Sequence, residues 1–200
     1  MMLANPVFAQ TTIAALGDSL TQGYGLPQNQ GFVPQLERWL TTQGADVRLI
    51  NAGVSGDTTA GGLSRIDWTL TPDVDALIVA LGGNDLLRGL DPALSRENLS
   101  AILQKAQDRN LPVLLIGLPA PGNFGPDYKA DFDAIYPALA AQYNVLLHPN
   151  FLGGLADAPP AEVIQPDGLH PNANGVSLIV QDIGPKALEL VTNATTASGG

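Results

Sequence analysis

Short apolar runs at residues 12–16, 46–51, 76–81, 112–118 and 144–148 alternate with longer stretches whose apolar residues recur at helical spacing. Each run is bounded by Gly, Pro or Asn, and its hydrophobicity is continuous rather than alternating, which marks strands covered on both faces. Between the runs, Val33, Leu36 and Leu40 share a stripe, as do Leu99, Ile102, Leu103 and Ala106, and then Phe132, Ile135, Tyr136, Leu139 and Tyr143. Asp91 before Pro92 reads as an N-cap with proline in the first turn. Val176, Ile179, Val180 and Ile183 mark a final helix, which the Gly184-Pro185 pair is expected to interrupt. This alternation specifies an α/β fold: a three-layer α/β/α, doubly wound parallel sheet of about five strands with right-handed crossovers.

At 200 residues the chain buries roughly 70% of its unfolded surface, enough for a core without disulfide or metal. It has no Cys, which removes disulfides, thiolate zinc sites and cysteine nucleophiles. Any imidazole chemistry must use His148 or His170, the only two histidines. Nineteen acidic against nine basic residues give a net charge of −10, which repels nucleic acid and anionic lipid surfaces. No apolar stretch is long enough to span a bilayer, so stable membrane insertion is not expected.

The two ends read differently from the middle. In residues 1–10, Val7-Phe8-Ala9 before Gln10 resembles the end of a secretory signal, so a periplasmic or secreted location is expected, and a cytoplasmic one if this is not a signal remnant. Residues 192–200 are small and polar and are expected to form a flexible tail. That leaves residues 11–191 as one domain, expected to be a monomer.

In a doubly wound sheet, ligands bind beyond the carboxyl ends of the strands, so the loops after the apolar runs hold the candidate chemistry. Gly17-Asp18-Ser19-Leu20 follows the first run: Ser19 at a tight strand-to-helix turn presents a hydroxyl and a free N–H, or else Asp18 or Ser19 caps the next helix. After the second run, the glycines of Asn51-Ala52-Gly53-Val54-Ser55-Gly56-Asp57-Thr58 allow backbone N–H groups to approach a ligand, or serve turn geometry alone. Gly82-Gly83-Asn84-Asp85 ends the third, where Asn84 is an oxyanion donor or a turn former. Asp167-Gly168-Leu169-His170-Pro171-Asn172 follows the fifth and lets the Asp167 carboxylate fix the His170 tautomer. Together these loops supply a nucleophile, a base, its orienter and a donor on one sheet edge.

The same segments resemble the four blocks of the SGNH (GDSL-type) hydrolases, in order and across most of the chain. Residues 16–24, 51–58, 81–90, 118–120, 123–125 and 167–172 look closest to the bacterial multifunctional thioesterase, lysophospholipase and arylesterase branch. The resemblance implies a flavodoxin-like fold and ester hydrolysis without metal or other cofactor, on a small-molecule ester. By motif position, Ser19 corresponds to the nucleophile, His170 to the base and Asp167 to its orienter. Ser19 N–H, Gly56 N–H and the Asn84 side chain correspond to the oxyanion donors. Gly53 is left to turn geometry.

Leu86, Leu87, Leu90, Pro119 and Phe124 make the neighbouring loops apolar, either lining an acyl groove or packing under a loop. His148, with no carboxylate beside it in sequence, reads as structural. The competing readings are a carbohydrate deacetylase of the same fold and a non-catalytic binding module. A receiver-like domain would want a lysine near the end of the last strand, where this chain has none.

Overall fold

The computed structural model describes residues 10–198, so the expectation for residues 1–9 lies outside the described residues. Five parallel strands form one sheet: β1 (Thr11–Gly17), β2 (Val47–Gly53), β3 (Ala76–Ala80), β4 (Val113–Ile116) and β5 (Leu146–His148), in the order β2-β1-β3-β4-β5. The helices are α1 (Ser19–Gln22), α2 (Phe32–Thr42), α3 (Thr59–Thr69), α4 (Gly83–Leu87), α5 (Pro92–Gln107), α6 (Pro126–Asp133), α7 (Ile135–Tyr143), α8 (Pro160–Val163) and α9 (Ala173–Ser198).

Side chains of β1 alternate between two cores. Ile13 and Ala15 join Leu36 and Leu40 of α2 and Ile179 and Ile183 of α9, whereas Ala14 and Leu16 join Ile66 of α3, Leu99 and Leu103 of α5 and Leu139 of α7. A central strand covered on both faces therefore reads as an unbroken apolar run. Edge strand β2 instead mixes buried and exposed positions.

Register determines where the loops emerge. Gly17 pairs with Gly53 on one side and with Ala80 on the other, so β1, β2 and β3 end level. Strand order reverses at β1, and the crevice expected at such a switch point lies where these loops leave the sheet. Gly53 is not a turn residue, correcting the sequence reading. It lacks a positive φ, and a Cβ there would run into the backbone of α1 around Thr21 and Gln22. Close backbone approach is what requires glycine.

Helix α9 departs from expectation twice. It runs unbroken through Gly184-Pro185, because Gly184 seats the Trp39 ring of α2, with a Cβ position only 2.8 Å from the ring, while Ile183, Ala187 and Leu190 bury the face around it. This burial outweighs the roughly 3 kcal/mol that an interior proline costs. It also continues to Ser198 where a tail was expected, since Val191 and Ala194 extend its buried face and the Thr192 and Thr195 hydroxyls donate to Leu188 O and Val191 O one turn back. Among the described residues, no helix is long and apolar enough to cross a membrane.

Gly53→Ala is expected to lower stability by about 1–3 kcal/mol, because α1 must move to admit the methyl group. Gly122→Ala, whose added Cβ meets nothing within 4 Å, should stay within about 0.5 kcal/mol of the parent. Urea midpoints of the two variants check this.

Candidate active site

Asp18 and Ser19 divide the two tasks that the sequence left as alternatives. Asp18 caps α1, its Oδ1 accepting from Leu20 N at 3.0 Å, which leaves the Ser19 hydroxyl uncommitted to the helix. Ser19 Oγ lies 2.9 Å from His170 Nε2, and His170 Nδ1 lies 2.7 Å from Asp167 Oδ2. The other oxygen, Oδ1, accepts the backbone N–H of Leu169 and of His170, at 2.9 and 3.0 Å. These two backbone bonds, followed by the imidazole, hold the Asp167 carboxyl down at about 2. An ionised carboxylate only accepts, so the ring proton of neutral His170 sits on Nδ1 and Nε2 is left to accept from the Ser19 hydroxyl.

The loop bearing Asp167 and His170 is clamped at its base. Gln165 N donates to His170 O at 2.7 Å and Asn172 N to Val163 O at 2.8 Å, while Gln165 Nε2 bridges Pro171 O and Tyr24 O. The Tyr24 ring lies against the imidazole, centroids 4.6 Å apart, and its backbone N–H donates to Ser19 O at 3.1 Å. Sequence reasoning assigned Tyr24 no role, although it closes the first stretch that resembles the family.

The candidate backbone and amide donors lie on the loops after β1, β2 and β3. Among the described residues neither Ser19 N–H nor Gly56 N–H has a protein acceptor. Gly56 adopts φ +83°, a left-handed conformation that favours glycine, and its carbonyl accepts from Arg88 Nη2 at 2.9 Å. Asn84 Nδ2 donates to Asp57 O at 2.9 Å and lies 3.4 Å from Asp18 Oδ2. The turn that carries it is pinned by Tyr136, which donates to Leu81 O at 2.9 Å, and Gly82 is glycine because a side chain would strike that hydroxyl. Burial pushes the Tyr136 phenol far above its usual range, so it remains a donor.

Asp85, the last residue of the third block, is structural. It is buried and accepts from Thr59 N, the Thr59 hydroxyl and the Ser95 hydroxyl, joining α3, α4 and α5 behind the site. His148 is also buried, with Nε2 3.4 Å from Asp182 Oδ2 of α9, a carboxylate distant in sequence.

The apolar residues divide. Leu86 is 5% exposed and belongs to the core, which corrects its place among the groove candidates, whereas Leu87 is 60% exposed. Leu90, Pro119 and Phe124 are exposed as well. Phe124 packs on Gly89, and Tyr128 donates to Leu90 O, so the loops after β3 and β4 form one apolar rim. No group of three or more His, Asp or Glu suited to a metal ion occurs among the described residues.

A flavodoxin-like sheet carrying a serine, an imidazole and a carboxylate in one hydrogen-bonded line at its switch point defines the class of protein: an α/β domain with the side-chain set of a serine hydrolase. The chain belongs to the GDSL-like lipase/acylhydrolase family, which matches residues 15–178. It is 39% identical to the esterase TesA of Pseudomonas aeruginosa over 92% of either chain. It is 34% identical to thioesterase 1/protease 1/lysophospholipase L1 of Escherichia coli K12, over 92% of this chain and 87% of that one. The crystal structure of the SGNH-hydrolase family esterase AlinE4 superposes with a TM-score of 0.76 at 48% identity, covering 90% of this chain and 96% of the other.

Asp18 generates a prediction. It is 4% exposed, and burial lifts its carboxyl from 3.8 to about 6, partly offset by the Leu20 N–H. A raised folded-state value means that stability is fully present below the unfolded value and falls as pH rises through about 6. Asp18→Asn, which keeps a capping oxygen, is expected to be more stable than the parent at pH 8 by up to about 3 kcal/mol and to lose that advantage near pH 4. Denaturation midpoints at the two pH values check it.

Proposed function

We propose that the protein is a serine esterase that hydrolyses carboxylic esters through an acyl-enzyme. The observation that carries this reading is the unbroken line Ser19 Oγ, His170 Nε2, His170 Nδ1, Asp167 Oδ2, at 2.9 and 2.7 Å, at the carboxyl edge of the sheet. As Ser19 Oγ bonds to the acyl carbon, its proton passes to His170 Nε2, and Asp167 stabilises the imidazolium. The carbonyl oxygen gains negative charge and is held by Ser19 N–H, Gly56 N–H and Asn84 Nδ2–H. Collapse breaks the bond to the leaving group, which takes the proton from His170. Water then repeats the sequence on the acyl-enzyme and releases the acid.

The exposed rim of Leu87, Leu90 and Phe124 favours an apolar acyl or aryl group over an acetylated sugar, whose hydroxyls need polar partners. The relatives named as esterase and thioesterase support this class. A chain-length series of p-nitrophenyl esters, run beside an acetylated sugar and an acyl thioester, tests it. Preference for the sugar would transfer the reading to a carbohydrate deacetylase.

Ser19→Ala is expected to lose roughly 10⁴- to 10⁶-fold in turnover while folding normally, and more than about a tenth of parental activity would exclude the nucleophile. Asn84→Ala should lower kcat about 10²- to 10³-fold with little change in KM. An unfolding midpoint that drops while turnover per folded molecule holds would make Asn84 a turn residue instead.

Acidification is expected to reduce the rate as the imidazole takes up a proton, because Asp167, held at about 2, stays ionised throughout. That limb should persist in Asp18→Asn, whose parental carboxyl titrates at about 6, and EDTA should leave the rate unchanged. Loss of activity to EDTA with recovery on adding metal contradicts the mechanism.

A further inference from the structure

Arg65 lies on α3, outside all the strand-end loops, yet its guanidinium reaches into them. Nε donates to Asp57 Oδ2 at 2.6 Å, Nη1 to Ala52 O at 2.7 Å and Nη2 to Gly17 O at 2.9 Å. Gly17 ends β1 two residues before Ser19, Ala52 lies in β2, and Asp57 directly follows Gly56. One rigid planar fork thus fixes the ends of two strands and the loop after the second in a single frame. The two charged side chains are only 21% and 18% exposed, so solvent screens this pair less than one on the open surface.

Asp57 carries the connection onward. Its backbone oxygen accepts one proton of Asn84 Nδ2 at 2.9 Å, and because the amide is planar this constrains the other proton, while the same nitrogen makes a longer bond of 3.4 Å to Asp18 Oδ2. Gly61, in the first turn of α3, leaves space for this arrangement. A Cβ there would come 2.5 Å from Asp57 Oδ1 and displace the carboxylate from Arg65.

We infer that Arg65 is a positioning residue: through Asp57 it sets the directions in which Gly56 N–H and Asn84 Nδ2–H point, without touching substrate. The inference rests on the reading of Gly56 and Asn84 as oxyanion donors. The positive charge is already matched by Asp57, so the contribution is geometric, and an ångström of donor misplacement is sufficient to slow the chemical step.

The test is a double-mutant cycle on the full chain, with Arg65→Gln, Asn84→Ala and the pair, measuring kcat and KM on p-nitrophenyl butyrate per folded molecule. Arg65→Gln is expected to lower kcat roughly 10- to 100-fold with KM within about threefold. In the Asn84→Ala background the same substitution should cost at least about fivefold less, because a donor it positions is already gone. Equal losses in both backgrounds, or parental turnover in Arg65→Gln, overturn the inference. Parental turnover in Asn84→Ala alone overturns the donor reading itself, a separate result. If Arg65→Gln does not fold, Asp57→Asn enters the cycle in its place, since it keeps the carbonyl that Asn84 uses and removes only the anion. The same two patterns then decide.

Discussion

The level ending of β1, β2 and β3 is the constraint on which the site depends. Gly17 pairs with both Gly53 and Ala80, and the loop bearing the serine, the loop bearing Gly56 and the turn bearing Asn84 leave the sheet side by side as a result. Slipping β1 by one residue would exchange Ile13 and Ala15 with Ala14 and Leu16 between the two cores. Hydrophobic burial thus enforces the register, and the register aligns the chemistry. Glycine at both Gly17 and Gly53 follows, because a side chain at either would collide with α1, at Thr21 and Gln22 respectively.

Much of this was legible in the sequence because each requirement falls on side-chain identity. A strand buried on both faces must be apolar along its length, and the proposed nucleophile, base, orienter and amide donor each need a particular functional group. Less legible were features that depend on backbone or on partners distant in sequence. The acceptors of Arg65 include Gly17 O and Ala52 O, groups that every residue possesses, so no motif announces them. The continuity of α9 through Pro185 depends on a ring supplied by Trp39, far away in the chain, and local helix rules point the other way. Leu86 and Leu87 are equally apolar neighbours, and only the geometry of α4 sends one inward and the other to the rim.

The carboxylates near the site show how environment separates identical groups. Asp167 stands at the surface with two backbone N–H groups and an imidazole around it, and is held at about 2. Asp85 is buried but surrounded by donors from Thr59 and Ser95, and its work is to join helices. Asp18 is buried, and desolvation outweighs the Leu20 N–H and the longer Asn84 bond, so it is pushed up to about 6. For Asp167 and Asp18, the balance of donors against burial sets the direction in which each carboxyl is shifted.

Retaining Asp18 next to Ser19 costs stability in its ionised form, so its value must lie in what it does locally. A helix beginning at Ser19 needs a cap, and serine is itself a strong cap former. Had Ser19 turned its hydroxyl onto its own helix, the oxygen would have been withdrawn from His170. With Asp18 accepting from Leu20 N, that demand is met one residue earlier, and Ser19 Oγ remains available at 2.9 Å from the imidazole. A carboxyl oxygen accepts this N–H whether or not the group is protonated, so the cap survives titration through about 6. Proton uptake there removes the burial penalty without releasing the serine, which is why a destabilising carboxylate is compatible with a fixed Ser19 hydroxyl.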